Sequence, residues 1–224
     1  MPSEQVENYL KNIFKLQEEG GKVTTSSLST RLQVSAASVS EMIRKLAEEG
    51  SVRHTPYKGV ELTEEGRKKA LRIIRRHRLW ELFLVEVLKY DWDQIDEEAE
   101  RLEHITSERL ERRIDEILGY PDRDPHGHVI PTAEGSLDDR QHPELATVKV
   151  GATVGVVRVS DESPELLQYL SKLGITLGTR LRVIERIEFD GSLRVEIGDS
   201  EQFISPKLAE NIFVELLETS QKEN

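Results

Sequence analysis

The sequence contains no cysteine. Without thiols the chain can form no disulfide, iron–sulfur cluster or thiolate zinc site, and it has no cysteine nucleophile. It also lacks any run of about 18 apolar residues, so we expect no transmembrane helix. The N-terminal stretch MPSEQVENYLKNIFKLQEEGG is charged throughout and lacks the apolar segment of a signal peptide. These absences predict a soluble, cytoplasmic protein with no membrane partner.

The net charge of -11 argues against a nucleic-acid partner only if it is spread evenly along the chain. Residues 1–80 carry 15 Lys and Arg against 10 Asp and Glu, a net charge of +5. Residues 81–146 carry 7 against 19, a net charge of -12, and residues 147–224 carry a net charge of -4. Such asymmetry indicates nucleic-acid binding by the first segment and leaves the acidic middle to be explained separately.

The hydrophobic pattern changes twice along the chain. Apolar residues at helical spacing, two short helices and a turn at Pro-Tyr-Lys-Gly give the order of a winged helix-turn-helix. Longer helices are predicted at about 64–89, 92–104 and 107–118, followed by a loop at 119–135 and then by strands. One helix, from Ser163 to Gly174, interrupts the strands. We therefore predict an α+β protein with a winged helix-turn-helix DNA-binding domain (1–72), a helical domain (73–135), a linker (136–146) and a small β-barrel (147–220).

The third helix, at about 36–49, has the composition of a recognition helix. Its apolar residues fall on one face, and its first turn is small and polar, as close approach to the major groove requires. The predicted DNA contacts are Ser35, Ala37, Ser38, Ser40, Glu41, Arg44 and Lys45, with Tyr57 and Lys58 at the tip of the wing. The basic run 67–78 adds to the case for the same partner, double-stranded DNA, although such a run by itself is more often a solvated face. The alternative is an ordinary three-helix domain whose polar face is only solvated.

The acidic segment places carboxylates and imidazoles at helical spacing. The members of one helix face are Asp96, Glu100, Glu103 and His104, and the preceding helix carries His77 and Glu81 at i,i+4. Carboxylates so spaced repel one another unless a cation lies between them, and facing helices with such pairs commonly hold metal ions. Carboxylate and imidazole without thiolate suit Mn²⁺ or Fe²⁺. The alternative is an acidic solvent-facing helix with a chance histidine.

The loop sequence DPHGHVIP contains Asp124, His126 and His128. Histidines in a turn-rich loop are often surface residues. Close to a metal site, however, they are candidate ligands for a second ion.

Taken together, these motifs resemble the diphtheria-toxin-repressor family of metal-dependent transcriptional repressors, in its manganese-regulator branch with a C-terminal domain. The resemblance covers nearly the whole chain and rests on VENYLKNIFKL, SAASVSEMIRKLAEEG, PYKGVELTEEG, RRHRLWE, EEAERLEHITSERLERRI and DPHGHVIP. It implies an SH3-like last domain, metal binding and dimerisation by the helices of 73–135, and up to two metal ions per subunit of a homodimer.

The resemblance also implies two ligand sets. The primary set is Asn8, Glu100, Glu103 and His104; the ancillary set is His77, Glu81, Asp124, His126 and Asp161, with Glu162 as the alternative to Asp161. The family more often has Asp or Met at the place of Asn8, a weaker neutral ligand. It often has Cys at the place of Asp124, and the toxin repressor has Cys where this chain has Glu100. A primary site made of oxygen and nitrogen donors favours Mn²⁺, with Fe²⁺ as the alternative.

We therefore expect a cytoplasmic repressor that binds operator DNA as a dimer when loaded with Mn²⁺ and so controls metal-ion homeostasis. The alternatives are an iron(II)-responsive repressor of the same architecture, a constitutive DNA-binding protein with a structural metal, and a metallohydrolase. The hydrolase is disfavoured because the sequence has no P-loop, H-E-x-x-H or G-x-S-x-G motif. We expect no enzymatic activity and no small organic substrate.

Overall fold

The computed structural model describes residues 3–55, 59–138, 140–161 and 163–217. The chain forms two compact units. The first unit comprises Met1–Trp80, Glu98–Asp122 and Ile130–Asp138, and the second comprises Glu81–Glu97, Arg123–Val129 and Asp139–Asn224. Among the described residues, no helix is both long and apolar enough to cross a membrane.

The first unit opens with the predicted winged helix-turn-helix. Its elements are α1 (Glu4–Glu18), α2 (Thr25–Leu32), α3 (Ala36–Glu48), β1 (Val52–Thr55) and β2 (Gly59–Leu62). The Thr24 hydroxyl accepts a hydrogen bond from the Ser27 amide and so begins α2. Gln33 ends that helix in the left-handed conformation, with φ 55°, and this turns the chain into α3. The strands pair antiparallel from Val52 opposite Leu62.

One apolar core holds this motif together. The largest fully buried side chains of the three helices are Leu10, Ile13, Leu28 and Leu46. They belong to one buried cluster that also contains Val52 and Val60 of the hairpin and Leu71 of the next helix. Each helix therefore buries one stripe and leaves its opposite face to solvent, as the apolar spacing predicts.

Three further helices follow: α4 (Glu64–Glu86), α5 (Asp96–Glu103) and α6 (Glu108–Ile117). Helix α4 ends before the predicted Lys89, which itself takes the left-handed conformation with φ 60°. Helix α5 begins four residues later than the predicted Trp92 because turns and bends occupy 92–95. The Ser107 hydroxyl accepts from the Leu110 amide and begins α6, at the predicted residue.

The second unit contains a five-stranded antiparallel sheet. The strands are β3 (Thr153–Val159), β4 (Arg180–Arg186), β5 (Leu193–Ile197), β6 (Ser200–Ile204) and β7 (Ile212–Leu216), in the order β6-β5-β4-β3-β7. Helix α7 (Pro164–Lys172) lies between β3 and β4, and Ser163, the predicted first residue of this helix, caps it by accepting from the Leu166 amide. A short unpredicted helix, α8 (Pro206–Ala209), precedes β7.

Alternating apolar residues form the core of this sheet. The fully buried side chains include Val154, Leu181, Val183, Leu193 and Val195, which repeat every two residues on their strands. Leu145, in a short 3₁₀ helix at Leu145–Thr147, is also fully buried in this core. The end of the polar segment predicted as a linker therefore already packs against the sheet.

Candidate metal centre and nucleic-acid interface

The first cluster of candidate ligands joins α1, α4 and α5 within the first unit. His77, Glu100 and Glu103 each offer a ligand atom, and these atoms lie within 4.8 Å of one another. Glu103 is fully buried, and its Oε2 lies 2.7 Å from His77 Nδ1. The side chain of Glu100 is 40% exposed, so the cluster opens to solvent on that side.

Lys11 of α1 is the cation of this cluster. Its ammonium donates to Glu103 Oε1 at 2.7 Å and also to a carboxylate oxygen of Glu100. Burial alone would lower the pKa of Lys11, but the negative charges of Glu103 and Glu100 outweigh it and raise that pKa. The pKa of Glu103 is lowered, because the hydrogen bond from His77 and the charge of Lys11 overcome the opposing effect of burial. Lys11 and Glu103 are thus held as an ion pair.

His104 lies beside this pair and contacts α1 through both ring nitrogens. Nδ1 is 2.7 Å from Glu7 Oε2, and Nε2 is 3.0 Å from Asn8 Oδ1. Nε2 is also 3.4 Å from Glu103 Oε1. Burial opposes protonation, but the hydrogen bond to Glu7 and the charge of Glu103 raise the pKa of His104. A proton held at Nδ1 by Glu7 leaves Nε2 as the nitrogen that can ligate a cation.

The second cluster lies within the second unit. Ligand atoms of Glu81, His126 and Asp161 lie within 4.8 Å of one another, and so do those of Asp124, His126 and His128. His126 is shared by both groups and is 1% exposed. Burial opposes its protonation, but the charges of Glu81, Asp124 and Asp161 raise its pKa. The raised pKa shows that this pocket attracts positive charge.

The ring of His126 is oriented by Trp92. His126 Nε2 donates to the Trp92 carbonyl oxygen at 2.9 Å, and the two rings stack with centroids 5.8 Å apart. A proton fixed at Nε2 leaves Nδ1, which is 3.7 Å from Glu81 Oε1, as the donor to a cation.

Hydrogen bonds between the Asp124 side chain and backbone amides hold the loop that carries these residues. Asp124 Oδ1 accepts from the amides of His126 and His128, both at 2.9 Å. Between them Gly127 has φ 93°, and a Cβ there would lie 2.2 Å from the Val157 carbonyl oxygen. The position therefore admits only glycine, and the two imidazoles are kept on a fixed turn.

Both ligand sets fit the type of ion that the sequence predicts. They contain only carboxylate, imidazole and amide donors, which suit Mn²⁺ and Fe²⁺ better than the soft ions that thiolates select. The first set comes from separate helices and the residue that follows α5, and the second from a helix, a loop and Asp161, two residues after the end of β3. The chemistry of the donors is thus compatible with two divalent cations.

The predicted DNA-contacting residues lie on one exposed face. Ser35, Ala37, Ser38, Ser40, Glu41, Arg44 and Lys45 are all exposed, whereas Val39, Met42, Ile43 and Leu46 on the opposite side of α3 are buried. The Ser35 hydroxyl also accepts from the Ser38 amide and caps α3. Tyr57 and Lys58 lie outside the described residues.

Part of the basic run 67–78 pairs with acidic residues of the protein itself. Arg75 is 8% exposed, and its guanidinium contacts Glu111 at 3.1 Å, Asp115 at 2.6 Å and the Pro131 carbonyl oxygen at 2.8 Å. Arg76 pairs with Glu111 at 2.9 Å. Two arginines of the run, Arg75 and Arg76, therefore neutralise acidic residues of α6.

Three domain families match consecutive parts of the sequence. They are the N-terminal DNA-binding domain of the iron-dependent repressors at residues 1–60, their metal-binding and dimerisation domain at 63–132, and the FeoA domain at 144–216. The diphtheria toxin repressor of Corynebacterium glutamicum is 31% identical over 188 residues, which span 80% of this chain and 82% of that protein. The chain belongs to this family of metal-dependent transcriptional repressors. Family members are DNA-binding repressors and not enzymes.

Two further comparisons show how far the similarity extends. The iron-dependent repressor IdeR of Mycobacterium tuberculosis is 35% identical over 158 residues, 67% of this chain and 69% of that protein. A solved structure described as a manganese-dependent transcriptional repressor in complex with manganese has 44% identity and a TM-score of 0.86, and it matches 95% of this chain and all of that one. The predicted family, α+β fold and SH3-like last domain of this repressor are confirmed.

Most predicted ligands of this repressor lie in the two clusters. Asn8, Glu100, Glu103 and His104 come together as predicted, and His77, predicted for the ancillary set, contacts Glu103 of the primary set. Glu81, Asp124, His126 and Asp161 form the second cluster. Glu162, the alternative to Asp161, lies outside the described residues. The assignment of all these residues as ligands stays a prediction.

Three contributing residues escaped the sequence analysis. Glu7 and Lys11 flank Asn8 on α1, and Trp92 orients His126. The i,i+4 spacing of Glu7 and Lys11 on an otherwise apolar helix face was a usable signal, because a buried charge needs a partner. Trp92 left no such signal, since its contact uses a backbone carbonyl group.

Proposed function

We propose that this repressor binds operator DNA as a homodimer when loaded with Mn²⁺, and that it thereby controls metal-ion homeostasis in the cytoplasm. The observation that carries the proposal is that side chains of α1 contact the candidate metal ligands on and next to α5. Asn8 of α1 contacts His104, the residue after α5, and Lys11 of α1 contacts Glu100 and Glu103 of α5. Helix α1 shares its core with the recognition helix α3.

The residues proposed to hold the primary ion are Asn8, Glu100, Glu103 and His104, with His77 added because of its contact with Glu103. A bound divalent cation would supply positive charge that offsets the repulsion between the neighbouring carboxylates. Glu100, Glu103 and His104 would ligate the ion from α5 and the residue after it, and Asn8 would ligate it from α1. Because α1 packs with α2 and α3, fixing α1 fixes the recognition helix in the state that matches DNA.

The residues proposed to hold the second ion are Glu81, Asp124, His126 and Asp161. His128 is added as a candidate, since its Nδ1 lies 3.3 Å from Asp124 Oδ2. Trp92 keeps a proton on Nε2 of His126, so that Nδ1 faces the carboxylates. The proposed stoichiometry is therefore up to two ions per subunit.

Dimerisation is proposed through the first unit. Ile105, Leu110 and Ile117, at and around α6, are large apolar side chains that the single chain leaves exposed. Large apolar side chains that stay exposed are candidate interface residues, and the domain matched at 63–132 is described as a metal-binding and dimerisation domain. Two recognition helices related by a two-fold axis would match the successive major grooves of a palindromic operator.

A titration of operator DNA with the purified protein, with and without Mn²⁺, tests this function. We expect tight binding only with Mn²⁺, and loss of the response in Glu103→Ala, while Glu98→Ala on the exposed side of α5 keeps it. Equal affinity with and without the ion would refute the proposal and favour a constitutive DNA-binding protein.

An iron(II)-responsive repressor is the second candidate, and the 35% identity to IdeR supports it. The donor sets do not separate Mn²⁺ from Fe²⁺, because both ions accept carboxylate and imidazole. DNA-binding titrations at buffered free concentrations of each ion separate the two functions. A response to Fe²⁺ at concentrations far below those needed for Mn²⁺ would favour iron.

A further inference from the structure

Lys11 is a buried cation that none of the ligand sets above uses. It is 2% exposed, and its ammonium donates to Glu103 Oε1 at 2.7 Å and to Glu100. Burying an ammonium is expensive unless it is paired and hydrogen-bonded. The two carboxylates therefore hold Lys11 in place, and Lys11 in turn neutralises one of their charges.

The proposed function gives the same two carboxylates to a divalent cation. A carboxylate oxygen that accepts from an ammonium group is a weaker donor to a second cation, and the two positive charges repel each other across a few ångströms. We propose that Lys11 is a resident counter-cation that competes with the metal ion for Glu100 and Glu103, and that its ammonium leaves them when the ion binds. This inference rests on the proposed function of the cluster.

Two consequences follow from the competition. In the metal-free protein Lys11 keeps the carboxylates neutralised and ties α1 to α5, so the cluster stays assembled. Metal binding must then break the two contacts of Lys11, which lowers the affinity for the ion. Lys11 thus sets the concentration of free metal at which the repressor responds.

The first test measures Mn²⁺ affinity with a fluorescent competing chelator, on the full chain carrying His126→Ala so that the second cluster does not titrate. Lys11→Met removes the charge and keeps the length of the side chain, whereas Lys11→Arg keeps the charge. The control is Lys15→Met, one turn further along α1, where the lysine is only partly buried. We expect Lys11→Met to bind Mn²⁺ at least about tenfold more tightly, which corresponds to about 1.4 kcal/mol. The Mn²⁺ affinities of the Lys11→Arg and Lys15→Met variants should stay close to that of the parent protein.

The second test needs no substitution, so it holds even if Lys11→Met fails to fold. Lysine acetylation by a short pulse of reagent is followed by mass spectrometry on the unmodified chain, with Lys15 as the internal reference. Because the cluster opens to solvent at Glu100, a displaced ammonium becomes accessible. We expect saturating Mn²⁺ to raise the labelling rate of Lys11 severalfold while that of Lys15 stays constant.

The outcomes separate this inference from the proposed function. If Mn²⁺ binds equally to the Lys11→Met variant and its parent, or if Lys11 stays unlabelled at saturating Mn²⁺, the competition is refuted while the metal-responsive function stands. If neither protein binds Mn²⁺, both the proposed function and the inference are wrong.

Discussion

Replacing Glu103 by glutamine is the most direct test of the first cluster as a structural unit. Both carboxylate oxygens are in use, with Oε1 accepting from Lys11 and Oε2 lying 2.7 Å from His77 Nδ1. Glutamine keeps the shape and one acceptor oxygen but removes the negative charge. Among the carboxylates with which the described residues show it paired, Lys11 would then keep Glu100, which is 40% exposed.

The size of the effect follows from burial. Glu103 is fully buried and Lys11 is 2% exposed, and removing one partner of a buried ion pair costs about 3–5 kcal/mol. Because glutamine still accepts one hydrogen bond, we expect the metal-free protein to lose about 3 kcal/mol, at the lower end of that range. With a urea dependence of about 1–3 kcal/mol per molar, the unfolding midpoint should fall by about 1–3 M.

Urea unfolding followed by tryptophan fluorescence measures this loss in the first unit. In a Trp92→Phe background the remaining Trp80, which donates to Thr106 at 2.7 Å, reports on that unit. The matched control is Glu98→Gln, since Glu98 is 44% exposed and 3.4 Å from an exposed arginine; such surface pairs contribute about 0–1 kcal/mol. If Glu103→Gln and Glu98→Gln unfold at the same urea concentration, the reasoning about the buried cluster is refuted.

Three further predictions concern other parts of the chain. Gly127→Ala places a Cβ 2.2 Å from a carbonyl oxygen of β3, so it should weaken Mn²⁺ binding at the second cluster by calorimetry; Gly119→Ala, with nothing within 4 Å of its Cβ, should not. Arg75→Met removes the buried arginine partner of Asp115 and one of the two arginine partners of Glu111, so it should cost about 3 kcal/mol in urea unfolding; a loss below about 1 kcal/mol would contradict the geometry. Arg44→Ala should lower the affinity for DNA about equally for every DNA sequence, and it should reduce the slope of log affinity against log salt concentration by about one. Arg182→Ala, at an exposed position of the sheet, should change neither quantity.

Local physics made much of this protein predictable from its sequence. Helical spacing of apolar residues, caps at Thr24 and Ser163, and alternation of period two specified the winged helix-turn-helix, α7 and the strands. The ligand types were also visible, since the helical spacing of Glu100, Glu103 and His104 predicts that they share one face, although α5 itself ends at Glu103. Helix ends were less certain because single residues such as Lys89, with φ 60°, decide where a helix stops.

The tertiary structure decided which charged residues meet. It turned Arg75 and Arg76 inward onto α6, brought His77 to Glu103, and placed Lys11 between two carboxylates separated from it by 89 and 92 positions in the chain. The physical reason is that a charge can be buried only where a partner from another element neutralises it, and periodicity within one segment carries no information about that partner. The sequence by itself thus determined the elements and the kinds of donor, whereas packing determined which donors form each cluster and that a lysine stands among them.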